Sequence, residues 1–414
     1  MFNQTRTAAL GPYFNLTDAC MLVAFVGFLF DKFHKGEPIL LPQIVVLMLL
    51  VVTIAAIQSF WAPGWTHESM RAFRWALQTP IAIFLGANMV TTRDRAKKLV
   101  SVLLVGALLA AVQHVFFVAN IWRARSLNMR SYQGMRTIGF WAGCMPSAFL
   151  VSAVLWKGPR NMIGRALYLV AGLLLLASLF LNQTRSLWIA TGAAIICMMP
   201  LFKRRDWAKR LITLVTCCLL LFLALGLLSQ YLLPGLDVVS VIANRADELL
   251  YNKVHTATRA RSLVVEVREW FDGTLIFGRG LRFFDTIENS DDWSRRIAFG
   301  HLGYVTYLSQ LGIVGLVVYG FAVPLWVLRN SMWLWRRVEW PCVRYLSLLS
   351  AASIICLTIM FTASSHFLAL GYEPAGILYG ATWALVAKVR QQALATTGAH
   401  TATLDTPTSG WQAS

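Results

Sequence analysis

Long apolar runs alternate with short polar ones from about residue 16 to residue 390. A run of roughly 18 or more apolar residues is long enough to cross a bilayer as a helix. The pattern predicts spans at 16–30, 39–60, 73–90, 99–119, 138–156, 166–181, 186–202, 211–231, 301–328, 342–361 and 374–388. The strict two-residue alternation of an outer-membrane barrel strand is absent. The expected fold class is therefore an all-α polytopic membrane protein with about 11–12 transmembrane helices. One polar interval, 232–300, is far longer than the others. It divides the chain into a 1–231 transmembrane bundle, a 232–300 loop subdomain, 301–390 C-terminal spans and a 391–414 tail expected to be disordered.

The long interval has a pattern of its own. Residues 238–251 carry apolar residues at helical spacing, and so do residues 256–271. In the latter, Val264, Val265, Val267, Trp270 and Phe271 supply the apolar side. Asp272-Gly273 and Gly278-Arg279-Gly280 read as turns. The Gly-Arg-Gly triplet lacks the strand, helix and further glycines of a nucleotide-binding fingerprint.

Composition agrees with the pattern. Of 414 residues, 57% are hydrophobic and 14% charged, where a soluble chain carries about 25% charged residues. The net charge of +18 is unevenly spread: residues 232–300 hold nine basic and ten acidic residues, so the excess lies in the short loops. Arg93, Arg95, Lys97 and Lys98 form one cluster. Lys157, Arg160 and Arg165 form the next, followed by Lys203, Arg204, Arg205, Lys209 and Arg210. Arg329, Arg336, Arg337 and Arg344, and then Lys388 and Arg390, complete the series. These clusters fall on alternate loops, so by the positive-inside bias they face the cytoplasm and 232–300 faces outward. Residues 120–137 break the rule: this outward loop carries Arg123, Arg125, Arg130 and Arg136 with no acid. It reads either as a tolerated exception or as an anion-binding surface. The seven cysteines lie in or beside apolar spans and show neither a disulfide framework nor zinc spacing. No cleavable signal peptide is expected.

Arg185 sits between two apolar runs joined by only a few residues, which pins it near the outer membrane surface. It reads either as a snorkelling span-end arginine or as a phosphate ligand, for which the rigid guanidinium fork is suited. Arg261 and Arg268 are seven residues apart, two turns along one face of the expected loop helix. Arg279 follows in the turn. The alternative for these three is a solvated charged surface. His301 opens a span directly after the polar loop, where a neutral imidazole could take a proton from a hydroxyl. His114, inside a span, reads as a buried polar contact. No metal-ligand spacing, nucleophile elbow or phosphate-binding glycine loop occurs, so no metal or cofactor is expected.

Three of these features together resemble a known family. His301-Leu302, nine residues, and then Gly312-Ile313-Val314-Gly315 is similar to the His-and-GxxG motif of the bacterial O-antigen ligase and O-antigen polymerase superfamily. Thr184-Arg185-Ser186 resembles that family's arginine at the start of a span. Arg261 precedes Leu275-Ile276-Phe277-Gly278-Arg279-Gly280, similar to the family's loop motif but without its proline. Leu302 also departs from the pattern, in which an amide or hydroxyl residue follows the histidine.

The resemblance implies a GT-C-like, metal-independent glycosyltransferase in the bacterial inner membrane, with its site facing the periplasm. The donor would be a glycan on undecaprenyl diphosphate. The acceptor would be lipid A-core for a ligase, or a second lipid-linked glycan for a polymerase. By the same resemblance, Arg185 and Arg261 would hold the diphosphate and His301 would act on the acceptor hydroxyl as catalytic residues. Arg268, Arg279, Arg123, Arg125, Arg130 and Arg136 would assist substrate binding. The expected partners are these lipid-linked substrates and membrane lipids, with no nucleic acid among them. A transporter of lipid-linked glycans and a non-enzymatic scaffold of envelope assembly are the readings from other classes.

Overall fold

The computed structural model describes residues 16–61, 67–124, 145–155, 161–181, 185–201, 275–281, 303–362 and 373–404, with scattered positions in 208–223 and 263–271. Among the described residues all regular structure is helical. The helices are α1 (Leu16–Lys35), α2 (Gln43–Trp61), α3 (His67–Met89), α4 (Arg93–Ala124), α5 (Met145–Leu155), α6 (Met162–Leu181), α7 (Arg185–Met198), α8 (Gly303–Gly315), α9 (Val323–Arg337), α10 (Pro341–Met360) and α11 (Glu373–Leu404). A π-helical turn, Leu316–Ala322, joins α8 to α9.

Among the described residues five stretches are long and apolar enough to cross a membrane: Gln43–Phe60, Arg93–Phe116, Met162–Phe180, Gly303–Arg337 and Pro341–Met360. Ala76–Met89, Met145–Leu155 and Ser186–Leu201 are shorter apolar helices. The apolar surfaces agree with a lipid surrounding. Val102, Val105, Leu109 and Phe116 form an exposed stripe along α4, and Leu167 and Val170 are exposed on α6. Water penalises such stripes, whereas lipid accepts them, and a helix satisfies its own backbone there. The all-helical fold and its membrane-length apolar helices are those of a polytopic membrane protein.

Helices appear at ten of the eleven expected spans. The other, 211–231, lies mostly outside the described residues. The C-terminal boundary differs from expectation. The helix at the expected span 374–388 is longer than that span, since α11 runs on to Leu404. Its last turns include Ala393, Ala395, Ala399 and Ala402, and alanine is the best helix former. Extending an existing helix avoids the cost of nucleation.

Small residues set the tightest helix pair, α3 with α11. A Cβ on Gly380 would overlap the Ile83 carbonyl, and one on Gly86 would overlap the Ile377 carbonyl. Gly376, one turn before Gly380, faces Ala82, whose Cβ would lie 2.7 Å from an added Cβ. Between helices in lipid, where apolar burial is not itself a driving force, such close backbone approach is what gains packing contact. Polar side chains act as clips. The Asn88 amide accepts from the Leu40 amide at 2.8 Å and donates to the Leu40 carbonyl at 2.8 Å, which fixes the α1–α2 connection to α3. Ser353 on α10 donates to the Tyr379 hydroxyl of α11 at 3.0 Å. His114 is fully buried, with Nδ1 3.1 Å from the Ser178 hydroxyl of α6, as a buried polar contact between spans should be.

Candidate functional site

The site is organised by a break in α8. Gly312 has φ 66° and ψ −165°, a conformation essentially confined to glycine, so the helix cannot pass through it unbroken. A break inside a span frees backbone groups that lipid cannot satisfy. Here they are taken up by a stretch of the long loop. The Ile313 and Val314 amides donate to the Leu275 and Ile276 carbonyls, both at 3.1 Å. In return, the Arg279 amide donates to the Ser309 carbonyl at 2.9 Å and the Gly280 amide to the Gln310 carbonyl at 3.0 Å.

The glycines make this approach possible. Gly278 and Gly280 have φ 74° and 92°. A Cβ on Gly278 would come within 2.6 Å of the Gln310 carbonyl and of the Gly312 amide. A Cβ on Gly280 would come 2.6 Å from the Ser59 hydroxyl. Ser59, near the end of α2, completes the joint. Its buried hydroxyl accepts from the Leu281 amide at 2.6 Å and donates to the Ala55 carbonyl at 2.7 Å. At the outer end of the segment the Trp270 indole donates to the Leu275 carbonyl at 3.0 Å. The two glycine motifs, 278–280 and 312–315, are therefore two halves of one contact. Ser59 was not singled out in the sequence: a lone serine in an apolar span carries no signal of a partner 222 residues away.

The depth of this contact follows from helix geometry. Ser309 and Gly312 lie six and nine residues into α8, about 9–14 Å along its axis. Gly303–Arg337 is 35 residues long, about 52 Å at ~1.5 Å per residue, against a hydrocarbon core of about 30 Å. The loop segment thus packs against the second half of α8. Leu275, Ile276 and Phe277 remain exposed, as do Val264 and Phe271.

The entry to α8 is fixed separately. The Gly303 amide donates to the Phe361 carbonyl at 2.8 Å, and the Tyr304 hydroxyl to the Thr358 carbonyl at 3.0 Å. Residue 303 therefore starts beside the end of α10. The same end of α10 meets α7, where the Cys356 thiol points to the Ala190 carbonyl at 3.7 Å. Arg185 is the first residue of α7, one and a half turns before Ala190. The α6–α7 connection is held by Trp188, which donates to the Leu179 carbonyl at 2.8 Å and packs edge-on against Phe180. The helix start bearing Arg185 and the helix start following His301 are thus both tied to the last turns of α10.

The expected site residues divide as follows. Arg185 has its backbone at the start of α7. Arg268 is exposed on a helical stretch of the long loop. Arg279 is half-buried between the two left-handed glycines that lock onto α8. Arg123 lies in the last turn of α4. Arg261, His301, Arg125, Arg130 and Arg136 lie outside the described residues. Among the described residues no group of three or more His, Cys, Asp or Glu side chains forms a metal-binding cluster.

Fold and site together define a helical protein with apolar helices of membrane-spanning length, in which residues 275–281 of the long loop are joined to α8. No family model matches the sequence, and no curated protein matches it.

Proposed function

We propose that the protein is a metal-independent membrane glycosyltransferase of the O-antigen ligase type. It transfers a glycan from undecaprenyl diphosphate to a sugar hydroxyl of lipid A-core at the periplasmic face of the inner membrane. The observation that supports this most is the contact between residues 275–281 and the broken α8. The loop stretch and the GxxG stretch on which the resemblance rests are joined through their backbones, which ties the loop carrying Arg261 to the span that follows His301. The association of α7 and of the α8 start at Gly303 with the last turns of α10 also supports this reading, since Arg185 opens α7 and His301 precedes Gly303 by two residues in sequence.

In this reading the chemistry is a displacement at the anomeric carbon. The bond to the diphosphate oxygen breaks, and negative charge develops there. Arg185 and Arg261, with Arg268 and Arg279 nearby in sequence, neutralise that charge in place of a metal. His301 takes the proton of the acceptor hydroxyl as its oxygen bonds to the anomeric carbon. The arginines of 123–136 hold the anionic acceptor. A GT-C-like arrangement with an outward loop suits this task, since the polyprenyl chain stays in lipid while the glycan lies in water.

One observation favours a second reading. A discontinuous span is what transporters use to build a substrate site, and α8 is discontinuous at Gly312. Against that reading, the backbone groups at the break bond to the loop segment and are not left to line a cavity.

The test is a lipopolysaccharide gel of a strain lacking the protein, complemented with variants. Ligation predicts loss of the whole ladder, restored by wild type and by neither His301→Ala nor Arg185→Ala, with Arg185→Lys a partial rescue. A core-plus-one-repeat band would make the protein a polymerase. Accumulation of lipid-linked glycan confined to the inner leaflet would make it a transporter.

A further inference from the structure

At the opposite end of the Gly303–Arg337 unit, the turn between α9 and α10 gathers cations from α4, from α11 and from the start of α10 itself. Arg93, the first residue of α4, has its Cζ 5.7 Å from the ring centre of Trp340. Arg344, in the first turn of α10, lies 5.6 Å from the Trp335 ring and donates through Nε to the Val338 carbonyl at 2.6 Å. Arg390 of α11 lies 4.9 Å from the Trp333 ring. Arg336 and Arg337, the last residues of α9, are exposed between these rings in sequence. None of these five arginines forms an ion pair among the described residues. The acid of the turn, Glu339, is exposed and forms none either.

The surface is amphipathic as well as basic. The Trp340 residue is 43% exposed, an apolar ring at the edge of the basic cluster. Tryptophan rings mark the membrane–water boundary, apolar on one side and wet on the other. Guanidinium groups stacked on them are held in place before any ligand arrives, so less side-chain freedom is lost on binding. A ligand that matches both features carries a phosphate and, directly below it, an acyl chain. Twenty-five residues of helical chain, about 37 Å, separate Gly312 from Arg337. This surface is therefore distinct from the site at the α8 break and does not depend on the function proposed for that site.

We propose that the α9–α10 turn is a binding surface for anionic phospholipid headgroups. The Trp-stacked Arg93, Arg344 and Arg390 form its fixed floor, and Arg336 and Arg337 are the mobile cations that close on the phosphate.

The test uses the full chain in detergent with equal amounts of phosphatidylglycerol and phosphatidylcholine of identical acyl chains, read by native mass spectrometry. Wild type retains phosphatidylglycerol in preference. The exposed pair is then changed to Arg336→Gln/Arg337→Gln, and each lost arginine lowers that preference about fivefold. A melting curve of the variant in phosphatidylcholine matching that of wild type shows that the fold is intact. Equal retention of the two lipids by wild type, or an undiminished preference in the folded variant, overturns the proposal. Displacement of phosphatidylglycerol by millimolar inorganic phosphate also overturns it, in favour of a site for soluble anions.

Discussion

Replacing Gly312 by alanine tests the joint between loop and span. The added Cβ would overlap the Ile276 carbonyl and lie 2.5 Å from the Gly278 amide nitrogen. Two responses are open to the protein. If the segment 275–281 stays, residue 312 must hold a backbone conformation reserved for glycine, at about 1–3 kcal/mol, and the overlap with backbone remains unrelieved. If the segment moves away from α8, the four backbone hydrogen bonds between them are lost, about 4 kcal/mol at ~1 kcal/mol each. Part of that returns if α8 becomes continuous. Backbone atoms cannot yield by rotation as a side chain can, so the second response is the expected one, with a net cost of about 2–4 kcal/mol. Hydrogen–deuterium exchange on the detergent-solubilised protein reads this directly. Peptides covering 275–281 should exchange about 30- to 700-fold faster, at ~1.4 kcal/mol per tenfold, while peptides of α3 and α11 keep their protection. Ile313→Ala is the control, because it leaves φ and the joint untouched and trims an exposed side chain. Wild-type exchange of 275–281 in Gly312→Ala would refute the reasoning.

Three further perturbations follow from other contacts. Ser59→Ala removes the buried acceptor of the Leu281 amide and should destabilise the joint by about 1–3 kcal/mol, seen as a lower melting temperature and as cleavage near residue 281 in limited proteolysis; an unchanged digestion pattern counts against it. Gly380→Val forces α3 and α11 apart at the Ile83 carbonyl and should lower the melting temperature in detergent more than Gly106→Val, whose added Cβ meets nothing within 4 Å; equal effects would remove the close-packing argument. The Lys32 ammonium, 2.6 Å from Glu37, holds that carboxyl below its ordinary value of 4.5. A lowered carboxyl contributes stability above its unfolded pKa, and that contribution is lost as pH falls through the lowered value. Glu37→Gln should therefore flatten the acid limb of a melting-temperature profile below about pH 5, and an identical limb would show that the pair does not matter.

Much of this protein is determined by composition along the chain. The spans were legible because insertion of a helix into lipid depends on the summed apolarity of consecutive residues, a one-dimensional property. That logic located helices such as 342–361 to within a residue or so. The burial of His114 was legible too, because a polar group inside a span has to find a partner there. Gly278-Arg279-Gly280 was legible as a turn. What it turns against was not, since the partner carbonyls of Ser309 and Gln310 are backbone groups that any residue supplies. The long loop reads in sequence as a separate folded unit, yet residues 275–281 belong to the membrane bundle through hydrogen bonds to α8 and Ser59. Only the tertiary structure decided where α8 breaks, because glycine at 312 permits a break without requiring one, and the loop segment makes it favourable by satisfying the freed amides. The same holds for the arginines of the α9–α10 turn. Positive charge at span ends is written in the sequence, but which arginine rests on which tryptophan is set by the packing of α4, α9, α10 and α11, and pairing across distant segments leaves no local trace in the chain.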